Sequence, residues 1–316
     1  MTTSTATSAR PRTGPPPRRP GIVRRLARSE HAAGWAFVTP ATALIAVFGL
    51  LPILWSLLLS FQRSDLLTPE TPWVGLHNYQ QIPGDATFRL AIQHTIVYTV
   101  LFVPATMVVG LLIAMALNRK VRGISIYRTA AYVTMAVSTI NEAIIFMWLF
   151  EPSFGVVNAA LNAVGLPQGQ WLSSPGQALY VIVAMTVWGW TGFAVVIYLA
   201  ALQGVPKELH EAAAIDGAKP FAIFRTITVP LLSPASLFLA VWLSINALQL
   251  FDEVYLTTRG GPLHATTVIV YYLFDQAFQQ FNAGYAAALA YVLFLVILVI
   301  TFIQFRVGNR FVHYNR

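Results

Sequence analysis

The sequence contains no cysteine and few charged residues. None of the 316 residues is a cysteine, and aspartate, glutamate, lysine and arginine together make up only 10% of them. The first absence excludes disulfide bonds, thiolate metal sites and a cysteine nucleophile. The second excludes an ordinary soluble domain, in which about a quarter of the residues are charged. Because 56% of the residues are hydrophobic, we expect the chain to lie in a lipid bilayer.

Two further absences bear on catalysis. The sequence has no GxxxxGK[S/T] phosphate-binding loop, so any ATP that drives its function must be bound by another chain. The histidines lack metal-ligand or catalytic-triad spacing, which disfavours a membrane-embedded enzyme and predicts no metal or cofactor in this chain. These histidines are His31, His77, His94, His210, His264 and His313.

The chain divides into a polar tail and a membrane domain. Residues 1–33 contain seven arginines and a single acid, Glu30, and their proline, serine and threonine predict a disordered basic tail. Residues 34–316 carry six apolar runs, each near the roughly 20 residues that cross the hydrocarbon of a bilayer. The predicted spans cover about 35–61, 90–117, 127–150, 178–203, 236–256 and 285–305. We therefore predict an all-α polytopic membrane protein with six transmembrane helices.

The distribution of basic residues predicts the orientation in the membrane. With six spans both termini share one side, and 17 of the 20 lysines and arginines fall on that side. The exceptions are Arg63, Arg89 and Arg259. Lysine and arginine gather in the cytoplasmic segments of membrane proteins. We therefore expect both termini in the cytoplasm, and the net charge of +8 indicates membrane orientation rather than nucleic-acid binding.

A polar segment at about 205–234 interrupts the apolar runs and is expected on the cytoplasmic side. Pro206 suits the first turn of a helix and Gly217 suits a C-terminal cap, so one short helix is expected to end at Gly217. Pro220 can open a second helix, and Pro230 is expected to break the chain again. The segment therefore predicts a bent helical pair that stands off the membrane.

The spacing within this segment resembles the EAA loop of ABC importer permeases, which docks into a cytoplasmic ATPase. The charge of Glu211 can reach the ATPase, and the methyl side chains of Ala212 and Ala213 let its backbone approach closely. An amphipathic interfacial helix or an ordinary loop is the alternative interpretation. The resemblance implies the coupling residues Glu211, Ala212, Ala213, Asp216, Gly217 and Pro230.

The predicted external segments resemble the carbohydrate-uptake branch of the same permeases. The similar stretches are WVGLHNY at 73–79, FG at 154–155 with Asn158, and FDEVYLT at 251–257 followed by GGP at 260–262. The coupling loop is specific for the type of transporter, and the last stretch narrows the substrate. A sugar, a polyol or a glycerol-phosphate-type solute, including a zwitterionic glycerophosphodiester, is therefore expected.

The resemblance also implies partners and a location. The chain would pair with a second homologous permease, with two ATPase subunits that bind ATP and Mg²⁺, and with an extracytoplasmic solute-binding protein that hands over the substrate. It would span the bacterial inner membrane, carry no catalytic residue and bind no nucleic acid. A stand-alone secondary transporter, with an intramembrane carboxylate as its proton site, is the alternative.

Polar side chains within the fifth predicted span are candidates for the substrate path, because polar groups are costly inside a membrane. The positions of Asn246, Gln249 and Glu253 follow i, i+3, i+7, which places them on one helix face, and Asp252 adjoins them. Trp242, on the neighbouring turn, can stack against the apolar face of a sugar. The alternative role of the amides is hydrogen bonding between helices.

The third predicted span carries two more candidates, Asn141 and Glu142. Glu142 either contacts the substrate, or is protonated or paired with a group of a partner subunit. No lysine or arginine falls in the middle of any predicted span. A neutral polyhydroxylated substrate is therefore favoured, or a zwitterion whose cation meets Glu142, Asp252 or Glu253.

Overall fold

The structure is a computed structural model that describes residues 30–65, 70–119 and 122–311. Over those residues the chain forms α-helices and short turns of other helix types, and no β-strand. Four helices are long and apolar enough to cross a bilayer, and two bent helix pairs bring the number of spans to six if each pair is one span. The predicted all-α polytopic fold is confirmed.

The α-helices of the described residues are numbered here in chain order. The first eight are α1 (Glu30–Ile45), α2 (Leu51–Ser60), α3 (His77–Gln81), α4 (Ala86–Leu117), α5 (Ile124–Ala136), α6 (Thr139–Leu149), α7 (Val156–Ala163) and α8 (Ala178–Gln203). The next are α9 (Lys207–Ile215), α10 (Pro220–Ile223), α11 (Val229–Leu231), α12 (Ser233–Leu248), α13 (Asp252–Thr257), α14 (Ile269–Phe274) and α15 (Ala283–Phe311). Single 3₁₀ turns span Ile82–Gly84 and Trp171–Ser173, and π-helical turns span Ala46–Leu50, Phe224–Thr228 and Asp275–Gln279.

The N-terminal one of the two compact units of the chain is described over residues 30–56. Its helix α1 is apolar, and the hydroxyl groups of Thr39 and Thr42 donate hydrogen bonds to carbonyls one turn earlier in the same helix. Most of the predicted tail, residues 1–29, lies outside the described residues. Glu30 already begins α1, so helix starts four residues before the predicted membrane domain.

The larger unit, residues 57–316, is built around long helices. The predicted spans at 90–117, 178–203 and 285–305 are confirmed as α4, α8 and α15. Helices α4 and α8 pack closely, because a β-carbon at Gly110 would lie only 2.5 Å from the β-carbon of Ala194. Glycine at position 110 therefore sets the distance between these two helices.

The third predicted span, 127–150, is wrong as a single helix. It is split into α5 and α6, whose axes are bent by 100°. The break falls at Val137 and Ser138, both of which have extended backbone, with ψ of 129° and 144°. Serine is a favoured residue immediately before a helix, so Ser138 suits the start of α6. The break places Glu142 in the first turn of α6.

The fifth predicted span, 236–256, is also wrong as a single helix. Helix α12 ends at Leu248, and the backbone of Phe251 leaves the helical region with φ of −143° and ψ of −59° before α13 begins. Asp252 and Glu253 occupy the first turn of α13, where the positive end of the helix dipole favours carboxylates. The supposed single helix face of residues 246, 249 and 253 therefore does not exist.

The buried core of this unit lies along α4 and α8. One cluster contains Tyr98 and Ile182 and extends to Leu243 of α12, and a second contains Ala114 and Tyr198. Each of these side chains is at least nine-tenths buried. The core therefore fixes α12 against the α4 and α8 pair, and the broken segments are arranged around this frame.

Candidate functional site

The polar segment forms the short helix that the sequence predicts. Helix α9 ends at Ile215, Asp216 caps it, and Gly217 follows with φ of +77°, a conformation that glycine adopts at little cost. The amide of Gly217 donates to the carbonyl of Ala214, and that of Ala218 donates to Ala213. These two bonds are the Schellman arrangement of a helix end. The predicted helix end at Gly217 is confirmed.

The prolines of the segment act differently from the prediction. Pro206 precedes α9 as its N-cap instead of lying in the first turn. Pro220 does open α10, but helical structure continues through Pro230 in α11, and the bend of 64° follows only before α12. Proline lacks only its own N–H donor, so Pro230 is tolerated in the first turn of the three-residue helix α11.

The outer surface of the segment is exposed. No residue of α9 is buried, and Glu211, Ala212 and Asp216 are exposed. Two large apolar side chains stand beside them, since Ile215 is 86% exposed and Phe221 is 73% exposed. Exposed apolar groups of this kind, rimmed by polar groups, mark interaction surfaces.

A cavity of about 200 Å³ lies where α12 ends and α13 begins. It gathers four of the predicted path residues, which are Asn246, Gln249, Asp252 and Glu253. They meet because the chain turns between the two helices and not because they share a helix face. The Asn246 amide also donates to the carbonyl of Trp242 at 2.8 Å, so one of its hydrogens is already used within α12.

A second cavity of about 210 Å³ adjoins the first, because Thr139, Trp190 and Glu253 line both. Glu142 faces this second cavity from α6, with its side chain only 6% exposed. Its Oε1 atom is buried and has no hydrogen-bond partner. The two cavities together hold three carboxyl groups, and no lysine or arginine lines either of them within the described ranges.

A glycine of α8 makes room for Glu142. A β-carbon at Gly189 would lie 2.6 Å from both carboxylate oxygens, so the carboxylate rests directly on the helix backbone. One turn further along, the amide of Gly192 donates to the hydroxyl of Thr134 at 3.1 Å. Glycines of α8 therefore hold both halves of the broken third span.

Two predicted path residues lie apart from these cavities. Asn141 is exposed although it adjoins Glu142 in sequence. Trp242 stacks on Phe238, with ring centroids 6.0 Å apart, and lines neither cavity. Thr139, which lines both cavities, was not among the predicted path residues. The signal that could have identified it is the polar pair that it forms with Ser138 inside an apolar run. The indole that lines both cavities is that of Trp190.

Two of the motifs in the segments predicted to be external are held by side-chain hydrogen bonds. Asn158 is buried, and its side chain amide donates to the carbonyls of Pro152 and Gly169 while its oxygen accepts from Trp171 Nε1 at 2.8 Å. The stretch after α13 is closed by Thr266, whose hydroxyl lies 2.7 Å from that of Thr258. These hydrogen bonds maintain the shape of the loops that carry the motifs.

Comparison with protein families gives one match that covers most of the chain. Residues 106–313 match the family described as "Binding-protein-dependent transport system inner membrane component". The polar segment and both cavities fall almost wholly inside this range.

Named relatives agree with this match. The lactose transport system permease protein LacF of Rhizobium radiobacter is 37% identical over 287 residues, which cover 89% of this chain and 95% of that protein. The trehalose/maltose transport system permease protein MalF of Thermococcus litoralis is 32% identical and covers 91% of this chain and 97% of its own. The sn-glycerol-3-phosphate transport system permease protein UgpA of Yersinia pestis is 33% identical, with 89% and 95% covered.

Among solved structures, one chain of a bacterial ABC transporter that imports the acidic polysaccharide alginate has a similar fold. Its TM-score is 0.80 at 23% sequence identity, and the alignment covers 92% of this chain and 98% of that one. At this level of identity the similarity concerns the fold.

Proposed function

The chain belongs to the family of binding-protein-dependent transport system inner membrane components, and from that premise we propose that it imports a sugar, a polyol or a glycerol-phosphate-type solute. As a member of this family it is a non-catalytic permease subunit of the membrane. The named relatives serve lactose, trehalose/maltose and sn-glycerol-3-phosphate systems, which supports this class of substrate. Membership also removes the reason to consider a stand-alone secondary transporter.

The substrate path runs through the two adjoining cavities. The observation that carries this assignment is the meeting of two broken spans at polar cavities, with Asn246 and Gln249 on one side and Glu142 on the other. Irregular backbone within a membrane protein is tolerated where it lines a cavity. Amide and carboxylate groups bind hydroxyl groups well, and Trp190 offers an apolar face to a sugar ring.

The exposed face of α9 is the docking surface for an ATPase subunit. The contacts that a partner would cover are Glu211 and Ile215 of α9 and the neighbouring Phe221 of α10. We assign the partners as a second homologous permease, two ATPase subunits that bind ATP and Mg²⁺, and an extracytoplasmic solute-binding protein. Both termini and α9 then lie in the cytoplasm.

Uptake by the assembled complex tests the path. Asn246→Leu and Gln249→Leu each remove hydrogen-bonding groups from the cavity while keeping a helix-compatible apolar side chain. A hydrogen bond contributes about 1 kcal/mol, so each variant is expected to lower uptake about fivefold at limiting substrate. Gln80→Leu is the matched control, because Gln80 is an exposed amide outside both cavities.

Glu142→Gln distinguishes the kinds of substrate. The amide keeps hydrogen-bonding capacity and discards the charge, so a neutral sugar should lose little uptake and a zwitterion with a cationic group should lose most of it. Uptake is measured per assembled complex across a panel of sugars and glycerophosphodiesters, each with its binding protein. Unchanged uptake in Asn246→Leu, Gln249→Leu and Glu142→Gln would show that these three residues do not belong to the substrate path.

A further inference from the structure

A third cavity, of about 590 Å³, lies outside the substrate path and beside the proposed docking helix. Its wall is formed by the C-terminal end of α4, the first turns of α5, the end of α8, helix α9 and the π-helical turn at Phe224–Thr228. This volume is within the range of roughly 300–1,000 Å³ that is usual for small-molecule sites. The cavity is therefore large enough for a ligand of its own.

The charge of this cavity is of one sign. Arg119, Arg128 and Lys207 line it together with His210, and no carboxylate is among the described residues of its wall. Side-chain amides of Asn118 and Gln203 add neutral donors. A concave site with low-dielectric walls and basic residues concentrates positive potential and attracts anions.

One guanidinium donor is left without a partner. Arg128 Nη2 donates to the carbonyl of Leu117 at 3.0 Å, which holds the side chain against the end of α4. The Nε atom of the same group is buried and has no hydrogen-bond partner. A buried donor without an acceptor is destabilising, and it is worst for a charged group. The site is thus short of an acceptor beside Arg128.

We propose that this cavity binds a phosphate-bearing anion. Guanidinium groups match phosphate oxygens in charge and geometry, and a lysine supplies a further point charge. The anion would accept from Arg128 Nε and from Arg119 on one wall and from Lys207 on the other. This goes beyond the proposed transport function, which does not require such a ligand.

The bound anion acts as a restraint on coupling. Lys207 belongs to α9, whereas Arg119 and Arg128 belong to the α4 end and α5. On the α9 side, His210 Nε2 already lies 3.1 Å from the hydroxyl of Thr228. An anion that bridges the two walls would hold α9 against the end of α4 and the start of α5. ATP hydrolysis by the assembled complex should therefore slow when the site is occupied.

The phosphate can come from either of two sources, a free phosphate compound or the head group of an anionic phospholipid. Basic pockets between transmembrane helices on the cytoplasmic side bind such head groups. The two sources place the same chemistry in the cavity and are separated by the lipid used for reconstitution. An acidic segment of the ATPase is a different occupant, and its presence would contradict the proposal.

The test uses the complete complex in nanodiscs. In discs of phosphatidylcholine alone, inorganic phosphate is titrated at constant ionic strength, with binding measured by phosphorus NMR line broadening and coupling measured by ATP hydrolysis. In parallel, discs with increasing phosphatidylglycerol are assayed without added phosphate, and initial rates are used because hydrolysis itself releases phosphate. Two cavity variants, Arg128→Gln and Arg119→Gln, are compared with Arg310→Gln, which changes an exposed basic residue of α15 outside the cavity. Arg119→Gln is needed because Arg128 also caps α4, so that its replacement can alter the end of that helix.

The proposal predicts that phosphate or phosphatidylglycerol slows ATP hydrolysis in the unchanged complex and in the Arg310→Gln control. Each cavity variant should weaken that response about tenfold in apparent affinity, as expected for one lost charge-assisted hydrogen bond. Phosphate bound at the ATPase subunits is common to all variants and cancels in the comparison. An equal response in all variants, no response to either anion, or a carbodiimide-induced amide bond between Lys207 and a carboxylate of the ATPase would overturn the proposal.

Discussion

The carboxylate of Glu142 rests on the backbone of Gly189, since a β-carbon on that glycine would lie 2.6 Å from both carboxylate oxygens. These residues belong to different helices, α6 and α8, and each lines the second cavity. The contact fixes the position of a buried carboxyl group without any hydrogen bond to its Oε1 atom. The first prediction follows from this packing.

Gly189→Ala should displace the Glu142 side chain and destabilise the complex. Overpacking of a closed site costs about 1–3 kcal/mol, so the melting temperature of the purified complex should fall. Adding Glu142→Ala removes the obstructing carboxylate and should restore most of the loss. The control is Gly34→Ala, because Gly34 is helical and a β-carbon there meets nothing within 4 Å. A double variant no more stable than Gly189→Ala alone would contradict the contact.

Gly217→Val should uncouple ATP hydrolysis from transport. Valine at φ of +77° is strained by its β-branch, so the end of α9 must change shape. Glu211→Lys should have a similar effect by reversing a docking charge. Gly217→Asn is the matched control, because asparagine adopts left-handed backbone more readily than other residues with side chains. Substrate-stimulated ATP hydrolysis, measured on assembled complex, should survive in Gly217→Asn and be lost in Gly217→Val.

The proposed orientation can be tested by labelling, since the chain has no native cysteine. Ser173→Cys, in the exposed loop before α8, should react with an impermeant thiol reagent in intact cells. Ala218→Cys, in the segment after α9, should react only after permeabilisation. Because a docked ATPase can shield position 218, the permeabilised sample is stripped of ATPase subunits before labelling. Reaction of Ala218→Cys from outside intact cells would reverse the proposed orientation.

Asp85 should make the stability of the complex depend on pH in the acidic range. Its Oδ2 accepts from the hydroxyls of Tyr272 at 2.6 Å and Tyr285 at 2.7 Å, and its Oδ1 accepts from the amide of Phe88. Burial raises the pKa of Asp85, but these hydrogen bonds outweigh it and hold the pKa below its ordinary value.

A carboxyl group whose pKa is lower in the folded state stabilises that state above its unfolded pKa. The contribution is lost as the pH falls through the folded pKa. The melting temperature of the complex should therefore decline below about pH 4, where an ordinary aspartate begins to bind its proton. Asp85→Asn should be less stable than the unchanged protein at neutral pH and should lack this part of the decline. Parallel melting curves for the two proteins across this range would refute the assignment.

The sequence predicted those elements that depend on local composition. The predicted span at 178–203 matches α8 at both ends, because an apolar run of this length is expected to form a membrane-spanning helix. Gly217 as a helix end was predictable because glycine is the residue that adopts the left-handed backbone of a helix end at the least cost. The polar residues near 142 and 246–253 were identified as unusual because polar groups inside a span are costly.

The breaks in two spans could not be predicted, because composition alone does not mark them. Ser138 and Thr139 interrupt the apolar run beside Val137, but polar residues also occur within continuous spans and do not by themselves mark a break. The sequence around Phe251 contains neither glycine nor proline to indicate the change of backbone there. The neighbours of Glu142 were equally hidden, since Gly189 and Glu253 lie far from it in sequence. Only the folded arrangement shows that Asn141, one residue away, points elsewhere.

The close approach of α4 and α8 at Gly110 and Ala194 has a mechanical consequence. The contact is so close that a β-carbon on Gly110 would lie 2.5 Å from that of Ala194. The two helices cannot slide past one another without separating there, so they should move as one rigid body. A movement of α9 would reach this rigid pair through the end of α8, because only three residues separate the two helices. We then expect the broken spans to be the mobile segments, with α6 and α13 changing their orientation relative to the rigid pair of α4 and α8.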